Sequence, residues 1–237
     1  MHRFFATFPL TANLRLSQRD FYHQIAHVFR AKKGEKVVFF TSGGPDIVYE
    51  IIEIKKQEIS LVKKDTIWLD SRPLAVHVFQ AYPNKVSTME LIVQKLVEIG
   101  VTRLTFFPGE YSQLSAIWPQ KQSRLTSIAR EALEQCGGNE MIDIAYSEEK
   151  LDQLISVMPD MWHLVAHQKG EVSIDKKNTG DGMIGLWIGP EGGWSHSENR
   201  FLEEKNIPLW SFNQNILRLE TAAIVGAWIL AYNHHWE

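Results

Sequence analysis

The sequence predicts an α/β chain in two modules: a small β-rich module over residues 1–70 and a larger domain with a mostly parallel sheet over 71–237. Three observations lead there. Short apolar runs separated by glycine turns fill the first module. From Leu74 onward, strand-length apolar runs alternate with stretches of helical periodicity. Between the two, Ser71-Arg72-Pro73 has the composition of a seam.

In the first module, strands are expected at Arg3–Phe8, Lys36–Thr41, Ile47–Ile54 and Glu58–Val62. Gly34 and Ser42-Gly43-Gly44-Pro45 break the chain between them, and Lys55-Lys56-Gln57 reads as a hairpin turn. Ser17 to Ala31 carries Phe21, Ile25, Val28 and Phe29 on one side, which predicts a helix between the first two strands. Small barrels are built this way.

In the second module Leu74–Ala81 is strand-like. A helix over Ser87–Ile99 follows, with Met89, Ile92, Val93, Leu96 and Ile99 at helical spacing and Gly100 as its stop. Val101–Phe107 is a strand and Pro119–Cys136 a helix closed by Gly137-Gly138. Further strands are expected at Met141–Ala145, Trp162–Ala166, Met183–Ile188 and Pro208–Phe212. Helices are expected near Glu148–Val157, Ser195–Lys205 and Leu219–Tyr232. Lys169–Gly182 is polar and glycine-containing and reads as a mobile loop. Ligands of such a sheet bind at the carboxyl ends of its strands.

Composition narrows the function classes. With 44% hydrophobic and 22% charged residues, the chain has the make-up of an ordinary globular protein. Its single cysteine, Cys136, excludes a disulfide framework or a cysteine-based metal site within one chain, which fits a reducing compartment. The N-terminus lacks the apolar stretch of a secretory signal, and the longest apolar run, Ala222 to Tyr232, is too short to span a bilayer. The expected setting is therefore cytoplasmic. Net charge is −3, yet residues 1–70 carry 11 Lys and Arg against 8 Asp and Glu, while 71–237 carry 14 against 20. The basic end, with Arg30, Lys32, Lys33 and Lys36, is where a polyanion would dock first, although a solvated hairpin rim has the same composition.

Chemistry concentrates between Ile188 and Ala222. A strand, Met183–Ile188, runs into Gly189-Pro190-Glu191-Gly192-Gly193, and Ser195 with Glu198 has the spacing of a capping box. Glycines there let a ligand approach bare backbone, and the free amides at the helix start would favour a carboxylate or another anion. The turn is neither a Walker A loop nor a G-x-G-x-x-G fingerprint. Further on lies Ile216-Leu217-Arg218-Leu219-Glu220-Thr221-Ala222.

Together, the Gly-Pro-Glu-Gly-Gly turn and the Ile-Leu-Arg-x-Glu-Thr-Ala segment resemble the signature of the RsmE-type methyltransferases, members of the SPOUT class of knotted enzymes. The resemblance extends to Glu90, Gln94-Lys95 and Glu98-Ile99-Gly100, and to Ile128-Ala129-Arg130-Glu131-Ala132 with Glu134-Gln135-Cys136-Gly137. More loosely it reaches Arg3 with its following aromatics, Val28-Phe29-Arg30, and Phe40 before Gly43-Gly44. It implies an α/β trefoil-knot (SPOUT) methyltransferase domain preceded by a small PUA-like β-barrel that binds RNA, with Arg3, Arg30, Lys32 and Lys33 as its RNA contacts.

The implied cofactor is S-adenosylmethionine, held by three loops that map onto Ala166, His167 and Gln168; Ile188 to Gly193; and Phe212, Asn213, Gln214, Ile216, Leu217 and Arg218. The implied reaction is methylation of N3 of a uridine in 16S small-subunit ribosomal RNA, by a homodimer acting on that RNA or on the small ribosomal subunit. N3 bears a proton that must leave, so a base would help. Arg218 is the expected holder of uracil oxygens or a phosphate, and Glu191 or Glu220 the expected base. Equally, Arg218 could pair with a carboxylate and Glu220 could cap the last helix with Thr221. The chain departs from the family pattern at Asn213, Asn215, Gly138, Gln168 and Pro108–Ser112. A different RNA target, or RNA binding without turnover, therefore stays open. Among nine histidines, His163 and His167 flank Leu164-Val165-Ala166, which suggests one packed and one exposed ring. His196 reads as an exposed residue at a helix start, His234-His235 as a polar tail, and no metal is expected.

Overall fold

A computed structural model of the protein describes residues 1–69, 74–113, 121–171, 182–212 and 215–235. Its contacts group residues 1–72 with 133–140 in one unit and 73–132 with 141–237 in a second.

The first unit holds a five-stranded sheet in the order β1-β3-β4-β5-β2, from β1 (His2–Phe5), β2 (Asn13–Leu16), β3 (Lys36–Phe40), β4 (Asp46–Lys55) and β5 (Glu58–Ile67). The β1–β3 pair is parallel and the other pairs are antiparallel. β2 is not among the strands the sequence predicts. It is four residues long and buries only Leu14 and Leu16, too short an alternation to stand out. The β4–β5 hairpin turns where expected, with Gln57 at φ 67°. Register shifts at Val48/Tyr49 and Ile51/Glu53 bend the two long strands. Phe4, Phe39, Tyr49 and Ile59 fill the core beneath. The expected helix is split, with one α-turn, α1 (Arg19–Tyr22), running into a π-helical turn over His23–Val28.

Two expectations for this unit change. Continuous division at residue 70 gives way to a unit that includes 133–140, because that segment's groups bond to the sheet. Phe5 N–H donates to Glu134 Oε1 at 2.9 Å, Gly43 N–H donates to Asn139 O at 2.9 Å, and Asn139 Nδ2 donates to Gly44 O at 3.0 Å. Arg3, expected on an RNA surface, is structural. Its guanidinium donates to both carboxylate oxygens of Asp46 at 3.0 and 2.8 Å and to the carbonyls of Leu133 and Gly138, and it lies 4.3 Å over the Phe40 ring. Arg30, Lys32 and Lys33 are exposed.

The second unit is a six-stranded parallel sheet, order β11-β9-β10-β6-β7-β8. Its elements are β6 (Leu74–Ala81), α2 (Val86–Ile99), β7 (Val101–Phe107), α3 (Gln122–Cys136, whose last turn from Leu133 groups with the first unit), β8 (Asp143–Tyr146), α4 (Leu151–Ser156), β9 (Trp162–Glu171), β10 (Ile184–Ile188), α5 (His196–Glu204), β11 (Leu209–Trp210) and α6 (Leu219–His235). Gly100, at φ 91°, ends α2. Phe79 and Trp187 stack at 4.0 Å within a core shared with Leu151, Leu154 and Leu202. On the other face α6 packs against α2, β6 and β10. Gly226 permits that approach: a Cβ there would meet Phe212 Cζ at 2.9 Å and Leu186 Cδ2 at 3.1 Å. Lys169 to Glu171 are strand rather than loop, because β9 continues past the sheet's centre to pair with β11. The rest of the expected loop, 172–181, lies outside the described residues. No helix among the described residues is long and apolar enough to cross a membrane.

Candidate active site

A cleft of about 750 Å³ opens at the carboxyl ends of β9, β10 and β11. Crossover connections leave their loops at that end of a parallel sheet, which is why ligands gather there. Residues 166–169, 188–194, and 210–212 with 215–220 and Ala222 supply three walls, and Asn84, Lys85 and Thr88 supply a fourth. Asn213 and Gln214 lie outside the described residues. No motif in the sequence marks the fourth wall. Its available signal was position, between the end of strand Leu74–Ala81 and the helix that follows.

The glycine turn is packed on both sides. Gly193, at φ 74°, donates to Pro190 O at 2.9 Å and closes the turn. A Cβ on Gly189 would meet the Trp194 indole at 3.0 Å, and one on Gly192 would meet Tyr111 Cβ at the same distance. Trp194 Nε1 donates to Ala166 O at 3.0 Å, which ties this turn to the 166–169 wall. The third wall packs through Trp210 and Phe212, whose rings are 4.3 Å apart.

The capping box forms as expected: Ser195 Oγ accepts from Glu198 N–H at 3.1 Å, and Glu198 Oε2 accepts from Ser195 N–H at 2.8 Å. The expected opening for a ligand anion at this helix start is already filled. Glu110 Oε2 accepts from Ser195 Oγ at 2.6 Å and from Ser197 Oγ, while Glu110 N–H donates to Glu198 Oε1 at 3.1 Å. The two hydroxyls, with a smaller contribution from Lys150, hold the Glu110 carboxyl below the usual carboxylate range. A protein carboxylate thus occupies the positive end of α5.

Glu191 is exposed on the turn, and its Oε1 accepts from Asn84 N–H at 2.9 Å, joining the second and fourth walls. Asn84 Oδ1 is buried with no hydrogen-bond partner among the described residues. Arg218 is exposed at the cleft and precedes the first turn of α6; its carbonyl accepts from Ala222 N–H at 2.8 Å. Glu220, half-buried, sits in that first turn. Ile216 is exposed on the rim.

The flanking histidines divide. His163 is buried: its Nδ1 accepts from Trp187 Nε1 at 3.0 Å and its Nε2 meets Met158 O at 2.9 Å, while burial pushes its pKa down. His167, half-buried, lines the cleft. Its Nδ1 accepts from Lys169 N–H at 2.9 Å, so Nε2 carries the proton toward Asn199 Oδ1 at 2.9 Å. Asn199 Nδ2 in turn donates to the carbonyls of Trp194 and Ser195. His196 is exposed at the start of α5. Among the described residues no group of three His, Cys, Asp or Glu side chains is arranged to hold a metal.

A parallel sheet with a glycine-built cleft at its carboxyl edge presents a ligand site there, and residues 70–231 match the family model of an RNA methyltransferase domain. Ribosomal RNA small subunit methyltransferase E 2 of Borreliella burgdorferi is 30% identical over 211 residues, 86% of this chain and 84% of that protein. Ribosomal RNA small subunit methyltransferase E of Buchnera aphidicola is 29% identical over 212 residues, 87% of this chain and 85% of that one. The chain belongs to the ribosomal RNA small subunit methyltransferase E family. Its fold matches, with a TM-score of 0.84 at 21% identity over 98% of this chain and 97% of the other, that of the Neisseria gonorrhoeae member bound to S-adenosyl methionine.

Proposed function

We propose that this protein transfers a methyl group from S-adenosylmethionine to N3 of a uridine in small-subunit ribosomal RNA, in the cytoplasm. The observation that carries this reading is the cleft itself: three walls at the strand ends, one of them a glycine turn with no room for a Cβ at Gly189 or Gly192, in a member of this family. The lining fits an amphiphilic cofactor. Ile188, Phe212, Leu217 and Leu219 offer apolar surface, and backbone at Gly189–Gly193 and residues 166–168 offers polar groups. When bound, S-adenosylmethionine supplies an electrophilic sulfonium methyl. Arg218, exposed at the cleft, is suited to hold uracil oxygens or a phosphate, and Glu191 braces the turn through Asn84.

The finer architecture belongs to the same proposal. The second unit is knotted, a reading supported by the return of α6 from the edge strand β11 to the face of β6 and β10, and by Phe212 and residues 215–218 lining the same cleft as the glycine turn. In the first unit, bent strands over one apolar core support a PUA-like barrel that engages RNA through Arg30, Lys32 and Lys33. The active form is a homodimer joined through α6, where Trp228 and Tyr232 stack at 5.3 Å while 54% and 50% exposed.

The test is calorimetric titration with S-adenosylmethionine, followed by nucleoside analysis of ribosomal RNA incubated with enzyme and cofactor. Expected are micromolar binding, its loss in Gly192→Trp, and appearance of N3-methyluridine. Binding with no methylated uridine in small-subunit RNA would shift the reading to another RNA. No binding by folded protein, with or without RNA, would remove it. Light scattering that finds a monomer at micromolar concentration would remove the dimer.

A further inference from the structure

The π-helical turn of the first unit is built outward. Phe29 N–H reaches back to Gln24 O at 2.8 Å and Ala31 N–H to Ile25 O at 3.0 Å, wider closures than an α-helix makes. Such turns are rare and recur at functional sites. Ile25 is the buried residue of the turn, while Val28 is 57% and Phe29 37% exposed. Phe29 stacks on His2 with centroids 3.7 Å apart and planes 26° from parallel. Next along the chain Arg30 takes a left-handed φ of 52°, and Arg30, Lys32 and Lys33 all face solvent.

None of these three cations has an ion-pair partner among the described residues. The neighbouring carboxylate, Glu35, accepts instead from the Lys32 backbone N–H at 3.2 Å. The ring stack of His2 on Phe29, with three cations just beyond Phe29 in the chain that have no ion pair among the described residues, matches one kind of partner. Single-stranded nucleic acid offers a flat base to stack and phosphates to pair, whereas a duplex hides its base faces.

We propose that His2 and Phe29 form a stacking platform for an unpaired base of single-stranded RNA, with Arg30, Lys32 and Lys33 on the adjoining phosphates. This rests on the RNA reading above, but concerns a surface of the first unit rather than the methyl-transfer cleft.

The test is fluorescence anisotropy of the full chain with a labelled oligouridylate of about 12 nucleotides. His2→Ala and Phe29→Leu are expected to weaken binding roughly 5- to 100-fold, with the salt dependence unchanged. Lys32→Gln and Lys33→Gln are expected to reduce the salt slope by about 0.7 each, and a duplex of the same length to bind more weakly. Wild-type affinity in both ring variants, or equal binding of duplex and single strand, would reduce the surface to a solvated basic rim and overturn the platform. His2, exposed at the start of the chain, decides if Phe29→Leu fails to fold. Calorimetry with S-adenosylmethionine on the same variants separates the proposals: intact cofactor binding with lost RNA affinity supports the platform, while failure of cofactor binding in the wild type counts only against the enzymatic reading.

Discussion

Glu110 and Ser195, 85 positions apart in sequence, share a 2.6 Å hydrogen bond that fixes the start of α5 behind the glycine turn. Tyr111, next to Glu110, lies against Gly192, and Gly109 lies beneath Pro190, where a Cβ would come within 3.1 Å of the ring. The loop after β7 and the glycine turn therefore brace each other. Glu110→Ala should weaken S-adenosylmethionine binding on the order of ten-fold, because a small displacement of cleft backbone costs contact geometry. Glu110→Gln, which keeps an acceptor for the serine hydroxyls, should recover most of it. Since hydrogen bonding depresses this carboxyl, its contribution is present above the ordinary carboxylate pKa and is lost as pH falls through the lower, folded value. Calorimetry of the two variants at neutral pH checks the claim; equal binding by Glu110→Ala and wild type would remove Glu110 as a positioning residue.

Arg3 and Asp46 make a second prediction, about stability. Their side chains are 13% and 10% exposed, and the guanidinium also serves two carbonyls. Removing the cation leaves a buried carboxylate uncompensated. Arg3→Ala should cost about 3 kcal/mol in denaturant unfolding. Arg3→Ala with Asp46→Asn together should cost less than the sum of the two single changes. RNA affinity lost with no change in stability would return Arg3 to the RNA surface.

These two cases mark what the sequence can and cannot disclose. The capping box, the strand before it and the glycine stops after α2 and α3 are local devices, set by residues within one turn of each other, and all appear where the spacing predicts them. Partners brought together by the fold leave no such trace. Nothing local tells that Glu110 would fill the α5 N-terminus or that Asp46 would claim Arg3. The π-helical turn was hidden for another reason: Phe21, Ile25, Val28 and Phe29 have α-helical spacing, but the inserted residue turns Val28 and Phe29 out to solvent.

His77 gives a pH dependence. On β6 its Nε2 lies 2.8 Å from Thr105 Oγ1 and its ring stacks on Phe79 at 4.0 Å. Burial first, and the nearby Arg103 second, push its pKa down to about 4. An unfolded histidine takes a proton near pH 6.5, so the folded state is at full advantage above that value and loses it as pH falls from about 6.5 toward 4. Between pH 7 and pH 5 this group alone should remove about 2 kcal/mol of stability. Urea unfolding across that range, compared with His77→Gln, isolates the effect; a parallel decline in the variant would assign it to other groups.

Glu191 allows the two readings of its carboxylate to be told apart. As a general base it would take the N3 proton, and Glu191→Gln would lower kcat by 10²–10⁴ and abolish the acidic limb of the pH profile. Its contact with Asn84 supports a bracing role instead. Oε1 is already engaged with the Asn84 N–H at 2.9 Å, a bond that a glutamine carbonyl oxygen can also accept. Glu191→Gln should therefore keep kcat within about three-fold of wild type, with its pH dependence unchanged. Glu191→Ala, which releases the Asn84 segment from the glycine turn, should raise KM for cofactor by roughly ten-fold. Steady-state kinetics over pH 5–9 decides between them: a collapse of kcat in Glu191→Gln with normal cofactor affinity would make Glu191 the base and leave the Asn84 contact incidental.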